Sequence, residues 1–280
     1  MGLSNSVCSL NLCSIETALE MADINGGLEN YLHMDWVSAD VLVPDYLQSS
    51  PECPEKGRYF LIKNGGGFVP ICTYHHPDKS VIYSLVMEAY INRLLTYEGA
   101  EFIMGAQGKH TGIDDLIAII RNKGFEERKK GFEEGWRAWT KGKDAVDCSG
   151  LAIEAMRDAL EGIFRNSTLI PDTGAVNLGH LEDGSPYTEK VETSAIPSNM
   201  ADPCLELKPG DFCIVKALRP HTTIFLGRYR EKNGDNNAYW IWASNTQNKT
   251  AIFTHGDFCQ AFECFENQTV SRWTLKKYTP

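Results

Sequence analysis

The chain has 280 residues, 42% hydrophobic and 23% charged, a globular balance that excludes a disordered protein. Lysine and arginine number 27 against 37 aspartates and glutamates, a net charge of -10. That excess of acid argues against a broad nucleic-acid-gripping face and against a polybasic membrane anchor, since both work through cationic contacts. In chain order, Ile15 to Met21 reads as a short helix. Tyr59 to Lys63 and Phe68 to Cys72 read as strands joined by a glycine turn. Ile82, Leu85, Val86, Ala89, Tyr90 and Leu94 recur at helical spacing, so residues 80–97 are expected to form an amphipathic helix. Within it, Val81 to Leu95 is the longest apolar run. Ser84, Glu88, Asn92 and Arg93 interrupt it well short of the roughly 18 apolar residues of a membrane span, so no span is expected.

Ile113 to Asn122 reads as a further helix, followed by an echo in which Lys123-Gly124-Phe125-Glu126-Glu127 recurs from Lys130. Two copies do not make a solenoid. A strongly helical run follows Asp147-Cys148-Ser149-Gly150 as far as about Arg165. Asn166 to Pro203, rich in Gly, Pro, Ser and Thr, reads as a long loop. After Lys208-Pro209-Gly210-Asp211, which suits a type II turn, come strands at Phe212–Lys216, His221–Tyr229 and Tyr239–Ser244. Ala251–Thr254 and Arg272–Leu275 are candidate further strands. The C-terminal half is therefore expected to be a helix packed on an antiparallel sheet, an α+β layout.

Cys148 is the first candidate for chemistry. A thiol attacks only as thiolate, and unpaired N–H groups at a helix start favour the anion. Small Ser149 and Gly150 leave room for a substrate, and Asp147 either caps the helix or orders the loop. His221, opening a strand, supplies the imidazole that would serve as general base. Asp211 is read as a turn residue only. His110, His180 and His255 have no motif around them and are expected at the surface or in loops.

Asp147-Cys148-Ser149-Gly150-Leu151, Leu207-Lys208-Pro209-Gly210-Asp211-Phe212 and His221-Thr222-Thr223-Ile224-Phe225-Leu226-Gly227 resemble, in order, three motifs of the NlpC-type family of papain-like cysteine peptidases, bacterial cell-wall endopeptidases. The resemblance covers about residues 136–280. It implies an α+β, papain-like NlpC-type domain at 106–280 with a long 166–203 loop, and it leaves 1–105 as an extra N-terminal lobe of unknown role. It implies cleavage of amide bonds in peptidoglycan stem peptides, with Cys148 as nucleophile and His221 as base. Asp147 and Ser149 would lie beside the substrate.

The chain departs from the family pattern in size, through the long 166–203 loop and the residues before the motif region, and at two places in its motifs. Where the family carries a second His to orient the base, this sequence has Trp242, and an indole N–H cannot accept from an imidazole. Asn245 is the favoured substitute by analogy with Cys-His-Asn peptidases; Ser244 and a plain dyad stay open. Upstream, the family's aromatic-Gly-Gly segment is matched only by Trp136, Trp139 and Gly142. Trp139 is the better placed to touch substrate, as is Trp242 from the strand, with core packing as the competing reading.

Nine cysteines, at positions 8, 13, 53, 72, 148, 204, 213, 259 and 264, include no C-x-x-C pair, and His75-His76 stand alone. Reduced thiols, no metal and no cofactor are expected. The first residues lack the basic start and apolar core of a secretory signal, so the expectation is synthesis in the cytoplasm without a signal peptide. A wall-peptidase motif on such a chain suggests a toxin exported by a dedicated secretion system into a target periplasm, with an immunity protein as partner. The alternatives are a degenerate non-catalytic module that binds wall or protein, and a Cys-His transferase or deamidase acting on protein.

Overall fold

A computed structural model describes residues 3–102, 145–165, 170, 178, 187–191, 207–215, 221–230, 236–244, 246–262 and 268–274. Two compact units separate. One comprises the described residues up to Val86 with Leu160 to Arg165; the other comprises those from Met87 to Ala159 and from 170 onward. The expected boundary at 105/106 lies outside the described residues, as do the expected helix at 113–122 and the echo after it.

In the first unit, α1 (Leu3–Ile24) carries Cys8, Ile15, Ala18, Leu19 and Ala22 at three-, four- and seven-residue steps. That spacing makes one stripe, which is buried with Leu42, Leu61 and Phe68 while Leu10, Met21 and Ile24 face out. Only its second half was expected to be helical. The helix runs further because its buried stripe already begins at Cys8; Ser9, Ser14 and Thr17 meanwhile turn their hydroxyls back onto carbonyls four residues earlier. Strands β1 (Trp36–Ser38), β2 (Tyr59–Asn64) and β3 (Gly67–Cys72) form an antiparallel sheet in that order. The β2–β3 hairpin is the one expected, turning through Gly65 at a φ of +61°.

Helix α2 (Lys79–Thr96) starts where Asp78 Oδ1 accepts from the Ser80 N–H at 2.9 Å, and it buries Ile82, Leu85, Val86, Tyr90 and Leu94 as its spacing requires. Helix α3 (Cys148–Phe164) ends in the first unit, where Arg58 Nη1 donates to the Gly162 carbonyl and Thr73 Oγ1 to that of Ile163.

The second unit is built on an eight-stranded sheet. Its strands are β4 (Glu101–Phe102), β5 (Ala145–Val146), β6 (Thr188–Lys190), β7 (Phe212–Val215), β8 (His221–Arg230), β9 (Asn236–Ser244), β10 (Lys249–Thr254) and β11 (Gln268–Trp273). They run in the order β5-β4-β10-β9-β8-β7-β11-β6, antiparallel except for the parallel β4–β5 pair. The α+β layout thus holds. Two features differ from expectation. Strand β6 lies inside the stretch read as loop and pairs with β11. A helix, α4 (His255–Phe262), follows β10 and buries Phe258 and Cys259 against Phe225, Trp240 and Trp242. His255 is buried too, not superficial: Trp240 Nε1 donates to its Nδ1, and its Nε2 lies 3.4 Å from Cys259 Sγ.

The Lys208–Asp211 turn closes with the Asp211 N–H on the Lys208 carbonyl at 3.0 Å. Gly210 takes a φ of +92°, and a Cβ there would meet Met87 Cε at 2.2 Å. Glycine is required on both counts. No helix among the described residues is long and apolar enough to cross a membrane.

Candidate active site

Asp147 makes the start of α3. Its Oδ1 accepts the Gly150 N–H at 2.6 Å and the Ser149 hydroxyl at 3.1 Å, while its carbonyl takes the first helical bond from Leu151. This is an N-cap, and it fixes Cys148 as the first helical residue. Ser149 is only 4% exposed and its hydroxyl serves the cap. Asp147 and Ser149, expected beside the substrate, are placed in the cap that turns the loop into helix.

The Cys148 side chain is half-buried, and its sulfur is approached by the backbone N–H groups of Thr222, Ser149 and Cys148 itself. These three donors favour the thiolate, as the helix start was expected to. They are outweighed: burial, then the Asp147 carboxylate, push the thiol up to about 11. The resting sulfur is a protonated thiol. Asp147→Asn keeps the cap and removes the charge, so iodoacetamide should alkylate Cys148 severalfold faster at pH 8, as read by peptide mapping. An unchanged rate would show that the carboxylate does not govern the thiol.

Strand β8 pairs with β7 from Val215↔His221 to Phe212↔Ile224, which carries His221 to the strand's first position, next to Thr222, whose backbone N–H favours the Cys148 thiolate. Cys148 and His221 share no hydrogen bond among the described residues. The imidazole stacks on Phe262 of α4, with centroids 5.4 Å apart and planes at 28°. Burial pushes it down to about 4, so it is neutral at neutral pH and, while it stays buried against Phe262, a weak proton acceptor.

The sign of that shift sets a stability slope. The fold prefers neutral His221, while the unfolded chain takes up the proton between about pH 6.5 and 4. Stability is therefore lost as pH falls through that window, by up to about 3 kcal/mol from this group. His221→Gln should flatten the difference between urea midpoints at pH 7 and 4.5. A parallel profile in variant and parent would refute the assignment.

Trp242 is in the core rather than beside a substrate. It is 4% exposed, stacked on Phe253 at 3.6 Å and edge-on to Phe262 at 5.3 Å. The β8–β9 register of Ile224↔Ile241 and Phe225↔Trp240, with side chains alternating along each strand, puts Trp242 on the α4 face with Phe225. Ser244 shares that face, is buried, and accepts the Gln247 N–H at 3.3 Å. Asn245 and Trp139 lie outside the described residues. Phe262, which the sequence did not single out, is the group found against the imidazole; it sits on a short helix whose existence no motif announced. No group of three or more metal-ligating side chains among the described residues includes Cys148 or His221.

No protein-family profile matches the chain, and neither does any curated protein at a significant level. Among solved structures it is similar to NlpC1 from Trichomonas vaginalis, at 16% identity over 79% of this chain and 56% of that one, with a TM-score of 0.37. NlpC2 from the same organism gives 16% identity, 80% and 60% coverage, and a TM-score of 0.38. An N-acetylmuramoyl-L-alanine amidase from Bacteroides uniformis ATCC 8492 gives 13% identity, 68% and 99% coverage, and a TM-score of 0.34. The chain spans a little over half the length of the two NlpC proteins.

Proposed function

We propose that the chain is a cysteine hydrolase that cleaves amide bonds in peptidoglycan stem peptides. One observation carries this reading: a partly exposed thiol at the head of α3 is met by the backbone N–H of the residue that follows a neutral, half-buried histidine. In the reaction His221 turns from Phe262 toward the sulfur and takes the Cys148 proton. The thiolate adds to the amide carbonyl, and the oxyanion is held by backbone N–H groups at the helix start. His221 then protonates the departing amine, leaving a thioester on Cys148. Water, deprotonated by the same imidazole, releases the acid and restores the thiol. The choice of wall peptide rests on the three-motif resemblance.

Mass spectrometry of products from purified stem peptides tests the reading. One water added across an internal amide is expected; intact peptide at long incubation would sink it. The geometry also favours a second reading, a non-catalytic wall- or protein-binding module, because the thiol is held protonated and the imidazole rests on an aromatic ring rather than on the sulfur. Intact peptide that nevertheless binds the chain would select it. The matching place of action is a target periplasm, reached by a dedicated secretion system and guarded by an immunity protein over the cleft. Expression in a bacterial periplasm should then lyse cells that tolerate the same chain in the cytoplasm, and equal tolerance would count against it.

A further inference from the structure

Away from α3, four side chains from separate stretches of the first unit converge. Cys8 comes from α1, Cys53 from the loop before β2, Cys72 from the end of β3 and His75 from the turn beyond it. Their three sulfurs and the imidazole nitrogen all lie within 4.8 Å of one another. The cysteines are buried and unbridged, and His75 is half-buried. We propose that Cys8, Cys53, Cys72 and His75 form a structural zinc site of the Cys3His type. The proposal is independent of the hydrolase reading.

The spacing of the atoms argues for a metal rather than for a chance group of apolar cysteines. Tetrahedral zinc, with bonds of about 2.3 Å to sulfur and 2.0 Å to nitrogen, sets sulfur–nitrogen edges of about 3.5 Å. His75 Nδ1 stands 3.5 Å from Cys53 Sγ and 3.5 Å from Cys72 Sγ. One nitrogen equidistant from two sulfurs is the arrangement a central ion imposes, whereas a single S–H···N bond would draw the ring to one of them. Protein ligands fill all four positions, which marks a closed structural site rather than a catalytic one.

The surroundings hold the ligands in place. Tyr59 donates its hydroxyl to Cys8 Sγ at 3.3 Å and receives Asn11 Nδ2 at 3.1 Å; Asn11 in turn reaches the Glu52 carbonyl, next to Cys53. Such second-layer bonds orient ligands in metal sites. The Cys53 turn closes with the Lys56 N–H on the Cys53 carbonyl and Lys56 at a φ of 65°. Gly57 follows it, and a Cβ there would come within 2.9 Å of Cys72 Sγ. Beyond β3 the His76 N–H bonds the Cys72 carbonyl at 2.9 Å, curling the chain so that His75 returns to the sulfur three residues earlier. The ion would tie the N-terminal helix to the hairpin, two elements otherwise joined only by packing and side-chain hydrogen bonds.

Metal analysis of the full chain, expressed with zinc and purified without chelator, should find about one zinc per chain. Cys53→Ser and His75→Ala should lose most of it, while Cys13→Ser, on an exposed thiol of the same helix, should keep it. Stripping the ion should lower the unfolding temperature, and zinc should restore it. Should the ligand variants fail to fold, cobalt added to the stripped parent chain must give the thiolate charge-transfer and tetrahedral ligand-field bands, displaced by zinc. A folded parent chain with neither zinc nor cobalt bands, or a disulfide between any two of Cys8, Cys53 and Cys72, would overturn the proposal.

Discussion

On the proposed hydrolase reading, replacing Cys148 with alanine is expected to cut release of stem-peptide fragments by about a thousandfold or more, because the thioester forms on its sulfur. The fold should survive. Cys148 is half-buried at a helix start whose cap comes from Asp147, so losing one sulfur should cost less than about 1 kcal/mol in urea unfolding. His221→Ala should be nearly as damaging, since the thiol sits at about 11 and a negligible fraction ionises unaided at neutral pH. Groups that act as one unit are non-additive: the double variant should be no worse than the poorer single one. Additive losses, or release unchanged in Cys148→Ala, would separate the activity from this pair. A burst of amine release before steady turnover, present in the parent and absent in the variant, would trace the acyl-enzyme directly.

The elements legible in the sequence are those whose pattern is local. The β2–β3 hairpin is announced by a glycine turn between apolar runs, α2 by its helical spacing, and α3 by a capping aspartate before an unbroken helix former run. Two-residue strands such as Glu101–Phe102 and Ala145–Val146 carry no period at all, since only their sheet partners define them. Helix α4 is eight residues long and opens with a histidine buried against Trp240 of β9, a neighbour that strand pairing and not local spacing supplies. At the site, the helix-start position of Cys148 was readable, but not the balance of forces on it. Burial is a tertiary consequence, and with the charge of the adjacent Asp147 it reverses the direction that a helix N-terminus alone would give. Likewise Trp242 was visible as a departure, whereas its stacking on Phe253 follows from strand register. Of the Cys3His cluster, only the Cys72-x-x-His75 spacing is local; Cys8 lies 45 residues before Cys53, too far for any spacing rule.

The largest stability effect is expected at Asp211, which is 1% exposed and receives Arg272 through two hydrogen bonds of 2.6 Å. The same carboxylate accepts the Lys208 N–H at 2.8 Å, so it closes the turn as well as the ion pair. Through it the start of β7 is fastened to β11, alongside the Ser271↔Phe212 pairing, and β7 in turn sets His221 by its Val215 register. Asp211→Ala takes the carboxylate away from a largely buried guanidinium and from a turn N–H together, for a loss of about 3 kcal/mol or more in urea unfolding. Asp211→Asn keeps an oxygen for Lys208 but cannot pair both guanidinium nitrogens as an anion does, so it should cost less. The test of cause is the double variant Asp211→Ala with Arg272→Met. If the penalty comes from the abandoned charge, removing Arg272 as well should recover part of the loss, and the cycle will show coupling of more than about 1 kcal/mol. Simple addition of the two single losses would mean that turn geometry alone, not the ion pair, holds β7 in place.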